Sequence, residues 1–84
     1  MDFLMEDKKI YLEDENHNII AEIEFEEIGD NTYNIYHTFV NESLRGQGIA
    51  SLLVQKAVEE IKHRGGKAKA SCSYAKAWIE RHEV

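Results

Sequence analysis

The sequence predicts a mixed α+β / α/β domain in which three antiparallel strands precede a helix, a parallel strand and a short C-terminal helix, the order βββαβα. Three observations predict it. Residues Ile19 to Glu26 alternate between two faces, as a half-buried strand requires. From Ala50 to Ile61 apolar residues recur at helical spacings of three and four, which draws one stripe along a helix. Between these regimes stands the glycine pair Gly46 and Gly48, where strand gives way to helix.

The first strand is Lys9 to Glu13, carrying Ile10, Tyr11 and Leu12 and ending in the turn-forming run Asp14-Glu15-Asn16-His17-Asn18. The second sets Ile19, Ala21, Ile23 and Phe25 against Ile20, Glu22, Glu24 and Glu26, and its acidic side reads as a solvated face. After a turn at Glu27 to Asn31, the third sets Tyr33, Ile35, His37 and Phe39 against Asn34, Tyr36, Thr38 and Val40. This alternation sends His37 toward the core or the helix. The helix is expected from Gly46 to His63, with Ala50, Leu53, Val54, Ala57, Val58 and Ile61 as its apolar stripe and Arg64-Gly65-Gly66 as its stop. Lys67 to Ser71 is poor in strand-forming residues, yet the preceding strand and helix need a crossover partner, so it is read as a parallel strand. Tyr74, Trp78 and His82, with Ala75 and Ile79, recur at helical spacing and define the last helix. No repeat, linker or proline divides the chain, and residues 1–84 are read as a single domain.

Composition narrows the function classes. A chain of 84 residues holds one modest core, so a ligand must lie in a groove rather than in a chamber. A formal net charge of -6 opposes non-specific binding to nucleic acid or to an anionic membrane. A local positive site can still hold a polyanion. Cys72 is the only cysteine, which excludes an intramolecular disulfide and a cysteine-based zinc site, and no metal site is expected. The N-terminal residues show neither a basic start nor a signal-length apolar run, and no segment approaches the roughly 20 apolar residues of a membrane span. The expectation is a cytoplasmic protein, monomeric or weakly dimeric, that binds neither nucleic acid nor membrane.

The run Val40-Asn41-Glu42-Ser43-Leu44-Arg45-Gly46-Gln47-Gly48-Ile49-Ala50 carries the clearest chemistry. The first turn of a helix leaves backbone N–H groups unpaired, and the helix dipole adds about half a positive charge there. Phosphate oxygens can satisfy both. Gly46 and Gly48 bring no side chain between those amides and a pyrophosphate, Ala50 is small, and Arg45 adds a forked cation. A glycine pair at such a turn also serves a purely structural connection. The run lacks the lysine of a Walker P-loop and the third glycine of a dinucleotide fingerprint, which excludes both of those nucleotide motifs.

Arg45-Gly46-Gln47-Gly48-Ile49-Ala50 resembles the pyrophosphate motif of the GNAT (N-acetyltransferase) superfamily, Arg/Gln-x-x-Gly-x-Gly/Ala, at its usual place after a strand. Together with His37-Thr38-Phe39-Val40, Ser71-Cys72-Ser73-Tyr74, Trp78 and His82, the chain is similar to a small, single-domain GNAT-like subgroup. The resemblance implies a minimal GNAT-like fold and acetyl-CoA as cosubstrate, with CoA as product. It places the cofactor's pantetheine arm against the backbone of Phe39 and Val40, and its pyrophosphate on the amides from Gly46 through Gln47, Gly48, Ile49 and Ala50 to Ser51, beside Arg45. Arg64, Lys67 or Lys69 would meet the remaining phosphate or would simply be solvated.

Cys72 would sit at a strand end beside the thioester, before a helix N-terminus that favours a thiolate; the same residue also suits a small buried position. Tyr74 would protonate the departing CoA thiolate, or would pack as the start of the Tyr74, Trp78 and His82 stripe. Glu22, Glu24 and Glu26 could take a proton from an amine acceptor or merely solvate their strand. The chain lacks the two N-terminal helices and the last two strands with which ordinary GNAT enzymes build the acceptor pocket. Two functions therefore follow from the resemblance. One is an N-acetyltransferase for an unknown amine or protein acceptor, direct or through Cys72 as acetyl relay. The other is an acetyl-CoA-binding module or sensor without significant turnover. A small α/β interaction domain with a structural glycine turn is a third.

Overall fold

The computed structural model describes residues 2–82 and adds one strand ahead of the expected elements. Strands β1 (Leu4–Glu6), β2 (Lys9–Glu13), β3 (Ile19–Gly29) and β4 (Thr32–Val40) form an antiparallel meander. Helix α1 (Ile49–His63) then crosses to β5 (Lys67–Ala70), which pairs parallel with β4, and α2 (Ser73–His82) follows. The sheet order is β1-β2-β3-β4-β5, so each strand lies beside its neighbour in sequence. Periodicity does not mark β1, because all three of its residues are exposed; backbone pairing with β2 and a hydrogen bond from the Tyr11 hydroxyl to Glu6 Oε2 at 3.2 Å hold it.

The core forms on one face of the sheet. Ile10, Leu12, Ala21, Ile23, Phe25 and Ile35 meet Leu53, Val54, Ala57 and Ile61 of α1, each 2% exposed or less. Ala75 and Trp78 of α2 join the same cluster, so both helices cover one face. Among the described residues no helix covers the other.

Three local features position the site, and each corrects an expectation. First, the reversal between β3 and β4 uses only Asp30 and Asn31, both left-handed at φ 54° and 57°. That is the turn which two-residue hairpins favour, and it carries β3 through Gly29 into the expected loop. Second, β4 contains a bulge. Glu24 pairs with His37 while Phe25 pairs with Ile35, which leaves Tyr36 without a partner on β3. One inserted residue reverses the face of every later side chain. Tyr33 and Ile35 pack toward the helices, but beyond Tyr36 it is Val40 that joins that packing, on the same side as Thr38. His37 is therefore not a core residue; its Nε2 lies 3.2 Å from Glu22 Oε2 on the open face.

Third, α1 begins at Ile49 rather than Gly46, because Gly46 and Gly48 take φ values of 82° and 73°, which a right-handed helix excludes. A short 3-10 turn, Glu42–Leu44, precedes them, capped by Asn41, whose Oδ1 accepts from Ser43 N–H at 3.0 Å. Buried Leu44 anchors this loop to the core. At the far end of α1, a Cβ on Gly66 would stand 2.8 Å from Asn31 O and from the Tyr33 ring, so only glycine lets the chain turn this close beneath β4.

Candidate functional site

The β4 bulge also ends the pairing with β5. The parallel ladder runs from Thr32↔Lys67 to Ile35↔Ala70. Ser71 and Cys72 N–H both donate to Ile35 O, at 3.1 and 3.3 Å, and there the two strands part. From His37 to Val40, β4 thus keeps β3 on one edge and, among the described residues, no strand on the other. Asn41 N–H donates to Ile20 O at 2.8 Å, and antiparallel bonding alternates along a strand. The backbone of Phe39 therefore turns to β3, and that of Thr38 and Val40 turns outward into the gap. Of the two residues expected to meet the cofactor's arm, Val40 turns its backbone to the gap and Phe39 turns its own to β3, while Thr38 also faces the gap.

The gap opens onto a groove of about 400 Å³ lined by Thr38, Val40, Leu44, Arg45, Gly46, Gly48, Ile49, Ala50, Ser51 and Tyr74. The start of α1 forms its floor, and no side chain caps that helix terminus. The amides of Ile49, Ala50 and Ser51 are consequently the unpaired donors of a first helical turn. A Cβ at Gly46 or Gly48 would meet no atom within 4 Å, so both α-carbons face open groove and leave room for an anion close to the backbone. Arg45 is exposed, and it approaches the exposed Glu42 at 4.0 Å, a contact worth little in water. Gln47 is exposed on the same turn but does not line the groove.

A family model described as GCN5-related N-acetyl-transferase matches residues 9–84. The chain belongs to the GCN5-related N-acetyltransferase family. Members of this family use acetyl-CoA as cosubstrate. A GCN5-like protein from Staphylococcus aureus, solved by NMR, superposes with a TM-score of 0.79 at 34% identity, covering 98% of this chain and 80% of that one. An acetyltransferase-like protein from Pyrococcus furiosus gives 0.63 at 26% identity over 88% of this chain and 56% of its own. An IAA acetyltransferase from Bacillus cereus shares the fold, with a TM-score of 0.68 at 23% identity over 87% of this chain and 51% of its own. The chain thus spans most of the first relative and about half of the other two. No curated protein matches it.

Against this family background the basic residues sort themselves. Arg64 Nε donates to Glu60 Oε2 at 2.7 Å, its Nη1 donates to Asp7 O at 2.8 Å, and its guanidinium lies 5.4 Å from the Phe25 ring and 5.7 Å from that of Tyr33. Lys67 and Lys69 pair with Thr32 and Asn34, ahead of the split. All three lie toward the start of β4, away from the groove, and Arg64 is already spent on structure. Arg45 is the cation that lines it.

Cys72 reaches the groove through Thr38. Its Sγ is 3.6 Å from Thr38 Oγ1, and Lys76 N–H donates to Cys72 O, which makes Cys72 the residue that caps α2. Burial pushes its thiol up, but hydrogen bonds from Ala75 N–H, the Thr38 hydroxyl, Tyr74 N–H and Thr38 N–H outweigh that and leave it below an ordinary thiol. The bulge and the helix start thus act together on one sulfur. Iodoacetamide alkylation of this sole cysteine should accelerate with pH about a midpoint below that of a denatured-state thiol. Thr38→Val, which removes one donor to the anion, should raise that midpoint; equal midpoints would show that the thiolate gains nothing from its site.

Tyr74 does not pack as the stripe suggested. It is 39% exposed and lines the groove, whereas Ala75 and Trp78 carry the burial of α2. Trp78 Nε1 donates to Ser51 Oγ at 2.9 Å and its ring stacks on His82 at 4.1 Å, tying α2 to the first turn of α1. Thr38 is the site residue that sequence periodicity misses, since the bulge alone turns it inward.

Proposed function

We propose that the chain is an acetyl-CoA-dependent N-acetyltransferase acting on an amine, with Cys72 as acetyl relay. One observation carries the reading: the edge of β4 at Thr38 and Val40 and the uncapped start of α1 line a single groove, and the Cys72 Sγ lies 3.6 Å from the hydroxyl of Thr38 in that lining. An extended amide chain laid in the gap would meet the outward C=O of Thr38 and the outward N–H and C=O of Val40 as a strand would. Phosphates would rest on the amides from Gly48 to Ser51 with Arg45 beside them.

Cys72 then attacks the thioester carbonyl as the thiolate. A bond forms between Sγ and the acetyl carbon, the bond to the CoA sulfur breaks, and Tyr74 gives its hydroxyl proton to the departing thiolate and regains one from solvent. A neutral acceptor amine next attacks the S-acetyl carbon. The Cys72–acetyl bond breaks, and the amine proton passes to the released Cys72 thiolate.

Incubation with acetyl-CoA without acceptor should add one acetyl mass to the protein, located on Cys72 by peptide mapping. Cys72→Ala should abolish the adduct and retain CoA binding. Unchanged acetylation in that variant, or acceptor turnover at the original rate, would replace the relay by direct transfer.

A further inference from the structure

Ser51 stands where two grooves meet. It lines the groove beside Gly46, Gly48 and Arg45, and it also lines the one between α1 and α2 that Trp78 and His82 border. Its hydroxyl accepts from Trp78 Nε1 at 2.9 Å in a partly buried bond. An indole N–H only donates, so the serine oxygen is the acceptor there and its single hydrogen must point elsewhere. Helical serines commonly return that hydrogen to the carbonyl four residues back. Here that residue is Gln47, which lies ahead of left-handed Gly48 and outside α1, while Gly48 O already accepts Leu52 N–H at 3.1 Å. Among the described residues the bond from Trp78 is the one hydrogen bond of the Ser51 side chain. The indole, in turn, is fixed from behind. Trp78 is 7% exposed, its ring stacks on His82 with centroids 4.1 Å apart and planes 19° from parallel, and His82 Nδ1 lies 2.9 Å from Trp78 O. A carbonyl only accepts, so Nδ1 carries the hydrogen and His82 is clamped to the residue on which it stacks. In this way α2 delivers a rigid donor to the first turn of α1.

We infer that Trp78 is a positioning residue for the cofactor: by donating to Ser51 Oγ it turns the serine hydrogen into the groove, where that hydrogen is given to a phosphate oxygen of acetyl-CoA. The inference rests on the proposed transferase reading. The donors run one way, from indole to hydroxyl to phosphate, and each bond polarises the next. Ser51 thereby adds a charge-assisted side-chain donor to the backbone amides of the same helical turn. A serine hydroxyl without a partner turns among three staggered orientations, whereas one already bonded to a fixed indole is restricted before the ligand arrives. Less freedom is then lost on binding. Trp78 itself touches no part of the cofactor in this scheme; it acts only through Ser51.

The test combines calorimetric titration with acetyl-CoA and the nitrogen-15 spectrum of the full chain, in which the sole tryptophan gives a single indole N–H signal. Ser51→Ala should weaken acetyl-CoA binding about tenfold and Trp78→Phe about threefold. The double variant should bind no more weakly than Ser51→Ala alone, because both substitutions break the same chain of bonds. Ser51→Thr keeps the hydroxyl and should stay within about twofold of the original affinity. In the unsubstituted protein the indole proton should move downfield on saturation, since a hydroxyl that donates becomes a better acceptor. Unshifted amides on β2 and β3 show that a variant is folded, and the indole readout needs no substitution at all. Losses that multiply to about 30-fold in the double variant, or an indole signal unmoved by saturating acetyl-CoA, overturn the inference. Amide shifts at Gly46 to Ser51 would in that case leave the transferase reading standing. Absence of those amide shifts in the unsubstituted chain removes the transferase reading and this inference with it.

Discussion

Gly48→Val should weaken acetyl-CoA binding by at least about 30-fold, the equivalent of roughly 2 kcal/mol. Two effects combine. The valine side chain would enter open groove in front of the first-turn amides, where no protein atom lies within 4 Å and a phosphate is proposed to sit. Any relaxation of φ 73° toward the ordinary right-handed region would also re-aim the amides of Ile49 and Ala50. Charge-assisted hydrogen bonds to backbone donors contribute about 1.5 to 3 kcal/mol each, so losing one accounts for the expected drop. Strain alone would give a different pattern. Gly65→Val carries the same left-handed penalty at φ 79°, at the other end of α1, and should lower the melting temperature while leaving acetyl-CoA affinity unchanged. Isothermal titration of both variants separates the two contributions.

Trp78→Ala should cost about 3 to 5 kcal/mol of folding stability. A domain of 84 residues is stable by roughly 4 to 12 kcal/mol in all, so this change removes a large share. Trp78 is 7% exposed, stacks on His82 and donates to Ser51, and it anchors the helix whose N-terminus holds Cys72 and Tyr74. Trp78→Phe keeps most of the buried ring and loses the hydrogen bond to Ser51, so its cost should be nearer 1 kcal/mol. Urea denaturation measures both. A Trp78→Ala midpoint close to the original would mean that α2 is not fixed by this contact, and the positions of Cys72 and Tyr74 would then need another anchor.

The fold was legible wherever a period ran unbroken. Ala21, Ile23 and Phe25 on β3 and Leu53, Val54, Ala57, Val58 and Ile61 on α1 are buried as their spacing requires. Alternation fails at the Tyr36 bulge, since a period of two carries no mark for an extra residue, and all readings downstream of it invert. His37 and Phe39 moved to the open face, and Thr38 came inward, for that one reason. The glycine turn was legible because few chemistries want Gly-x-Gly at a strand-to-helix junction. Its left-handed angles, however, push the start of α1 to Ile49. For Tyr74 the sequence left packing and a groove role both open, because helical spacing alone does not say how far a stripe extends past the sheet it covers. Among the basic residues named for the remaining phosphate, Arg64 is held by Glu60, an i,i+4 neighbour on α1, and by Asp7, a contact between distant parts of the sequence that spacing does not reveal.

The central claim is that the groove between β4, the glycine turn and Cys72 binds acetyl-CoA, and backbone NMR during titration of the full chain with acetyl-CoA tests it most directly. The account predicts saturable shifts at Thr38, Val40, Arg45 to Ser51 and Cys72, with Arg64, Lys67 and Lys69 unmoved. No saturable shift at millimolar acetyl-CoA, or shifts centred on Arg64 and the start of β5, would contradict it.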